Sequence, residues 1–176
     1  SAEDVKSYKI ETVRAYWPNH EIQTHIMSFY PSKWLDEFLE KSDVIYLHVE
    51  IKENISTLLR KIKSRGKKTG IAIFMQTELS EIKNLFSEVD SVLLLSIPHP
   101  GKSRQKFDFD ALEKIKFINQ LPNRKDFSLC VDGGINEHTI KHIDSEFIVS
   151  GSSVLSSKDP QRKIMYLQTS GRYEAL

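Results

Sequence analysis

Six short apolar runs, at residues 22–27, 44–49, 70–74, 92–97, 127–131 and 147–149, alternate with stretches whose apolar residues recur at helical spacing. Regular alternation of this kind commits a chain to a parallel sheet, because each parallel strand is reached by a crossover that a helix supplies. Val92-Leu93-Leu94-Leu95 and Phe147-Ile148-Val149 are apolar at successive positions, which suits strands buried on both faces. A two-sided cover of helices, or a closed barrel, follows. Helices are predicted at 2–16, 32–40, 54–65, 79–86, 109–119, 137–143 and 160–168. Leu58, Leu59 and Ile62 form one core stripe, and Leu112, Ile115 and Phe117-Ile118 another. Gly66 fits a helix stop, and Asp159-Pro160 a helix start.

A chain of 176 residues suits one domain, 1–176, with a real core, and its net charge of +1 gives no electrostatic reason for a nucleic-acid or membrane partner. Lys61, Lys63, Arg65, Lys67 and Lys68 cluster at a predicted helix end and its loop, where cations favour the dipole and the solvent. The single cysteine, Cys130, lies in an apolar run, so it reads as a small core residue, with no disulfide framework or cysteine metal site within one chain. No apolar stretch approaches the ~20 residues that span a bilayer, and the first residues lack the basic and apolar regions of a secretion signal. A cytoplasmic, soluble protein is expected.

Two strings concentrate the chemistry: Val131-Asp132-Gly133-Gly134-Ile135 and Val149-Ser150-Gly151-Ser152-Ser153, separated by about the length of one helix. Each ends an apolar run in small residues, whose backbone amides an anion can approach without side-chain obstruction. Gly133, Gly134, Gly151 and Ser152 are therefore candidate phosphate-binding residues, with the Asp132 carboxylate beside them. An ordinary strand-to-helix turn, with Asp as cap and Gly for a positive φ, accounts for the first string alone. The second string at this spacing favours the phosphate grip.

These strings, with three further segments, make the chain resemble the ribulose-phosphate 3-epimerase family, (β/α)8 barrels of the TIM type that epimerise ketose phosphates at C3. Thr24-His25-Ile26-Met27 is similar to the family's His-Leu-Met strand, and Tyr46-Leu47-His48-Val49-Glu50 to its His-x-Glu strand. Pro100-Gly101 with Gln105 and Phe107 resembles its Pro-Gly-Phe-Gly-Gly-Gln-x-Phe loop. The resemblance implies an α/β ribulose-phosphate-binding barrel, a sugar-phosphate substrate, and a divalent metal, whether zinc, iron, manganese or cobalt. It implies Asp132 as catalytic acid/base and metal ligand, His25 as a metal ligand, and Gln105 at the phosphate. Side chains alternate along a strand, so Met27 shares the face of His25 and is expected in the same cavity.

The departures are as informative. The family's two front strands, with a His-x-Asp-x-Met-Asp-Gly pattern that supplies two metal ligands and the opposing acid/base, have no counterpart here, so an N-terminally incomplete barrel of about six strands is expected. Six strands leave two open sheet edges, which predicts closure by another route, a homo-oligomer or instability. The glycine-rich loop reads Gly101-Lys102-Ser103-Arg104-Gln105, whose Lys102 or Arg104 could reach phosphate through a side chain or form a solvated basic loop. Asn-Pro after the third strand is replaced by Phe74-Met75. His48 and Glu50 share a face and are expected as a structural hydrogen-bonded pair, with a substitute ligand or acid as the other role. Three readings stand: a metal-assisted sugar-phosphate 3-epimerase, a catalytically inactive relative that binds a phosphorylated ligand or serves as an assembly surface, and an incomplete copy of an ordinary member.

Overall fold

The computed structural model describes residues 8–102 and 104–170. Residues 2–7 of the first predicted helix, and Ser103, lie outside the described residues. The chain divides into two compact units, Ser1–Ile73 with Glu78–Val92, and Phe74–Thr77 with Leu93–Leu176. Strand order follows chain order, β1 to β6, and β4 (Ser91–Leu95) is the strand both units share.

The first unit runs α1 (Tyr8–Tyr16), β1 (Gln23–Ile26), α2 (Ser32–Leu39), β2 (Val44–His48), α3 (Ile55–Ser64) and β3 (Lys68–Ile73). β1 pairs with β2, and β2 with β3, in parallel, with His25 opposite Tyr46 and Tyr46 opposite Gly70. That register explains Gly70: a Cβ there would fall inside the Tyr46 ring. Tyr46, fully buried, ends in a hydroxyl 2.8 Å from Ser91 Oγ, which satisfies the polar tip of a large core side chain. α3 buries Leu58, Leu59 and Ile62, the stripe read from the sequence. Asn54 caps it by accepting from Thr57 N at 2.9 Å, and Gly66, at φ +70°, ends it by donating to Lys63 O at 3.0 Å. Asp43 fastens α1 to the sheet, accepting from Ile22 N at 2.7 Å and from the Arg14 guanidinium at 2.5 Å.

In the second unit, β4 is followed by α4 (Ala111–Asn119), β5 (Ser128–Asp132), β6 (Phe147–Val149), the short α5 (Ser152–Leu155) and α6 (Pro160–Ser170). β5 and β6 are parallel, with Asp132 opposite Val149. Arg124 secures the start of β5: it donates to Phe127 O and to both oxygens of Glu146, while Glu146 also accepts from Leu129 N. Asp159 Oδ1 accepts from Arg162 N at 2.9 Å, so the Asp-Pro start of α6 is realised.

All six predicted strands are present. Two predicted helices are not: 79–86 and 137–143 form only the 3₁₀ turns Lys83–Ser87 and Ile140–His142. In the first, Leu79 and Phe86 are the only buried residues of the stretch and no side chain caps the turn, so little holds a longer ladder. In the second, Asn136 Oδ1 takes the amides of His138 and Thr139, and the Thr139 hydroxyl donates back to Gly134 O, so local side-chain bonds displace the helical ladder. Among the described residues, no helix is long and apolar enough to cross a membrane.

Candidate functional site

In the second unit β5 delivers Asp132 at its C-terminal end, the position at which parallel α/β folds place reactive groups. Two glycines follow it, at φ +124° for Gly133 and +67° for Gly134. Both are required by space as well as by conformation. A Cβ on Gly133 would lie 2.6 Å from Ile97 Cγ2, and one on Gly134 would fall on the backbone of Phe107. Ser96, fully buried, locks the turn from the end of β4: its amide donates to Asp132 O at 2.8 Å, and its hydroxyl donates to Asp132 O at 3.0 Å and to Gly133 O at 2.8 Å. Ser150 Oγ donates to Ile135 O at 2.9 Å and ties the second string to the first.

Burial holds the Asp132 carboxyl above its ordinary range. Cys130, two residues earlier, is buried and its thiol is pushed up to about 12, by burial first and then by the Asp132 charge, so it stays protonated and inert. Beyond the glycine turn opens a cleft of about 360 Å³. Gly134, Ile135 and Asn136 form one side, Ser152, Ser153 and Ser156 another, and Arg104 and Gln105 a third. Three hydroxyls, two side-chain amides and one guanidinium line it, with no carboxylate among them, and such a donor-rich surface suits an anion. Gly151 stands just before α5 at an ordinary φ of −89°, with open space where a Cβ would be.

In the first unit, His25 on β1 and His48 on β2 face each other, Nε2 to Nε2, at 2.7 Å. His48 Nδ1 lies 3.2 Å from Glu50 Oε2, so the pairing of His48 with Glu50 expected from their shared face is present. A hydrogen bond between the two rings needs one Nε2 to carry a proton and the other to accept it. Burial, reinforced by His48, pushes His25 down to about 3, so its ring is neutral. Met27 falls just past β1 and is 40% exposed, and neither described cleft includes it.

A divalent ion does not fit this donor set as it stands. The two facing Nε2 atoms share one proton, and neither offers that lone pair to a cation. Among the described residues, no three His, Cys, Asp or Glu side chains come together as a metal-holding group.

The sequence pattern of the ribulose-phosphate 3 epimerase family matches residues 5–155. The chain belongs to this family. Ribulose-phosphate 3-epimerase of Bacillus subtilis is 28% identical over 156 residues, 85% of this chain and 71% of that protein. The Aquifex aeolicus enzyme of the same name is 30% identical over 154 residues, 84% of this chain and 69% of that protein. By fold, 3-hexulose-6-phosphate synthase from Salmonella typhimurium is similar, with a TM-score of 0.72 at 14% identity over 94% of this chain and 79% of that one. The α/β fold of TIM-barrel type is therefore shown, as is membership in a family of isomerases. Sequence reasoning missed Ser96, Asn136 and Ser156, while Ser153 belongs to the second string it singled out. Only Ser96 carried a signal, a lone hydroxyl directly after an apolar strand.

Proposed function

We propose that this chain is a ketose-phosphate 3-epimerase in which Asp132 moves the C3 proton and the adjoining cleft holds the phosphate. The observation that carries the reading is the pairing, on one glycine turn, of a carboxyl raised by burial with a donor-rich cleft free of acidic residues. A raised carboxyl retains its proton more strongly, which matches a group that must both accept and return one near neutral pH. Abstraction at C3 by Asp132 leaves an enediolate; a proton returned by Asp132 restores the starting centre with exchange, and inversion takes a proton delivered from solvent to the opposite face. Gly133, Gly134, Gly151 and Ser152 supply backbone amides to the phosphate, Met27 belongs to the same substrate assignment, and Gln105 orders the loop beside the cleft. The family resemblance supports ribulose 5-phosphate or a related ketose phosphate as substrate.

The resemblance also assigns a divalent ion to His25 and Asp132, and His25 would have to exchange His48 for the ion to serve it. The hydrogen-bonded His25–His48 pair favours a second reading, a relative that binds a phosphorylated ligand without turnover. Incubation of the chain with ribulose 5-phosphate in deuterium oxide, with and without manganese, separates the two. Proton NMR is expected to show exchange at C3 that Asp132→Asn reduces at least ~100-fold, the scale of a lost general base. Binding without exchange would give the second reading, and exchange insensitive to Asp132→Asn would remove Asp132 from the chemistry.

A further inference from the structure

Arg104 is the one charged residue lining the cleft and, among the described residues, the one non-glycine at positive φ, +62°. A side chain held in the left-handed region needs surroundings that impose it. The loop supplies them at both ends and in its middle. It leaves β4 at Ile97, whose side chain packs where Gly133 lacks a Cβ, and it returns at Phe107, whose backbone lies where Gly134 lacks one. Between these anchors Gln105 spends its whole amide on the loop: Oε1 accepts from His99 N at 3.1 Å, and Nε2 donates to His99 O at 2.5 Å and Lys102 O at 2.7 Å. The two glycines beside Asp132 thus also set the loop that carries Arg104. Arg104 itself makes no hydrogen bond or ion pair with any described residue, and it lines a cleft of hydroxyls and amides.

From this geometry we infer that Arg104 is the phosphate ligand that gives this cleft its preference for a phosphate dianion, and that Gln105 is its positioning residue. The inference rests on the phosphate reading above and deepens it. Where a glycine-rich loop offers only backbone amides, this loop brings a planar cationic fork that grips two phosphate oxygens at once. Gln105, with its amide committed, acts through Arg104.

The test titrates the full chain with inorganic phosphate and with ribulose 5-phosphate, followed by calorimetry. Arg104→Gly is expected to weaken both at least 10-fold, because the phosphate dianion is common to the two. The thermal midpoint without ligand should hold or rise, since glycine accepts the positive φ freely. Arg104→Lys keeps the charge without the fork and should fall between. Gln105→Ala should weaken binding in the native background but add nothing to Arg104→Gly, and equal losses in both backgrounds would overturn the positioning role. Native affinity in Arg104→Gly would make the loop a solvated basic one and overturn the inference while leaving the phosphate site standing. Binding of neither probe by the native chain would instead defeat the phosphate reading itself.

Discussion

At Gly134 conformation and space act together. Its φ of +67° already disfavours a side chain, and a Cβ would collide with the Phe107 backbone, which cannot swing aside as a flexible side chain would. Gly134→Ala should therefore cost about 1–3 kcal/mol in urea unfolding, the range for a residue forced into a sparsely populated backbone region. Gly151→Ala should stay within about 0.5 kcal/mol, because its φ is ordinary and the space around it is open. Equal losses at both positions would contradict this account of the turn. The two glycines look alike in the sequence, each in a short string after an apolar run. What separates them is the return of the loop to Phe107, some thirty positions earlier in the chain, and no local pattern encodes that approach. Asp132 was legible for the opposite reason, since its setting at the end of a buried strand before two glycines is entirely local.

Elements show the same division between local and distant causes. β2 and β4 could be read because burial on both faces leaves an unbroken apolar run, whereas β6, equally apolar in sequence and expected to be buried on both faces, keeps Phe147 and Val149 exposed at the sheet's end; α3 was legible because its stripe, Asn54 cap and Gly66 stop all agree. The stretches 79–86 and 137–143 failed as helices where a missing cap with few buried anchors, or local side-chain bonds, outweighed a helical pattern. The pairing of β1 with β2 carries a pH prediction. In the folded chain His25 titrates at about 3, while unfolded it returns to an ordinary value near 6.5. Between those values the unfolded chain binds the extra proton, so stability must fall as pH falls. The contribution is whole above 6.5 and drains away through that window, about 2 kcal/mol between pH 6.5 and 5 at 1.36 kcal/mol per unit. Urea midpoints across that range should drop in the native chain and flatten in His25→Gln. Parallel slopes in the two would place the acid sensitivity elsewhere.

At the scale of the whole molecule, β6 stands last in the strand order among the described residues, and an end strand offers a row of backbone groups that another chain can pair. This edge is also apolar: Phe147 is 49% exposed and Val149 43%, and Ile164, Met165 and Tyr166 on α6 are exposed as well. A net charge of +1 adds almost no long-range repulsion between copies. We propose on these features that this chain associates with itself through the β6 edge, the homo-oligomer expected from open sheet edges. Sedimentation velocity should show a mass that rises with concentration over the micromolar range. A Phe147→Lys, Val149→Lys double variant should remain monomeric without a lower thermal midpoint, because both side chains are already half in solvent and lysine is the usual guard of a free edge. A native chain monomeric at every concentration would mean that this edge is not a contact between copies. Association that survives the double variant would move the contact to the exposed face of α6, where Met165→Lys would be the variant to break it.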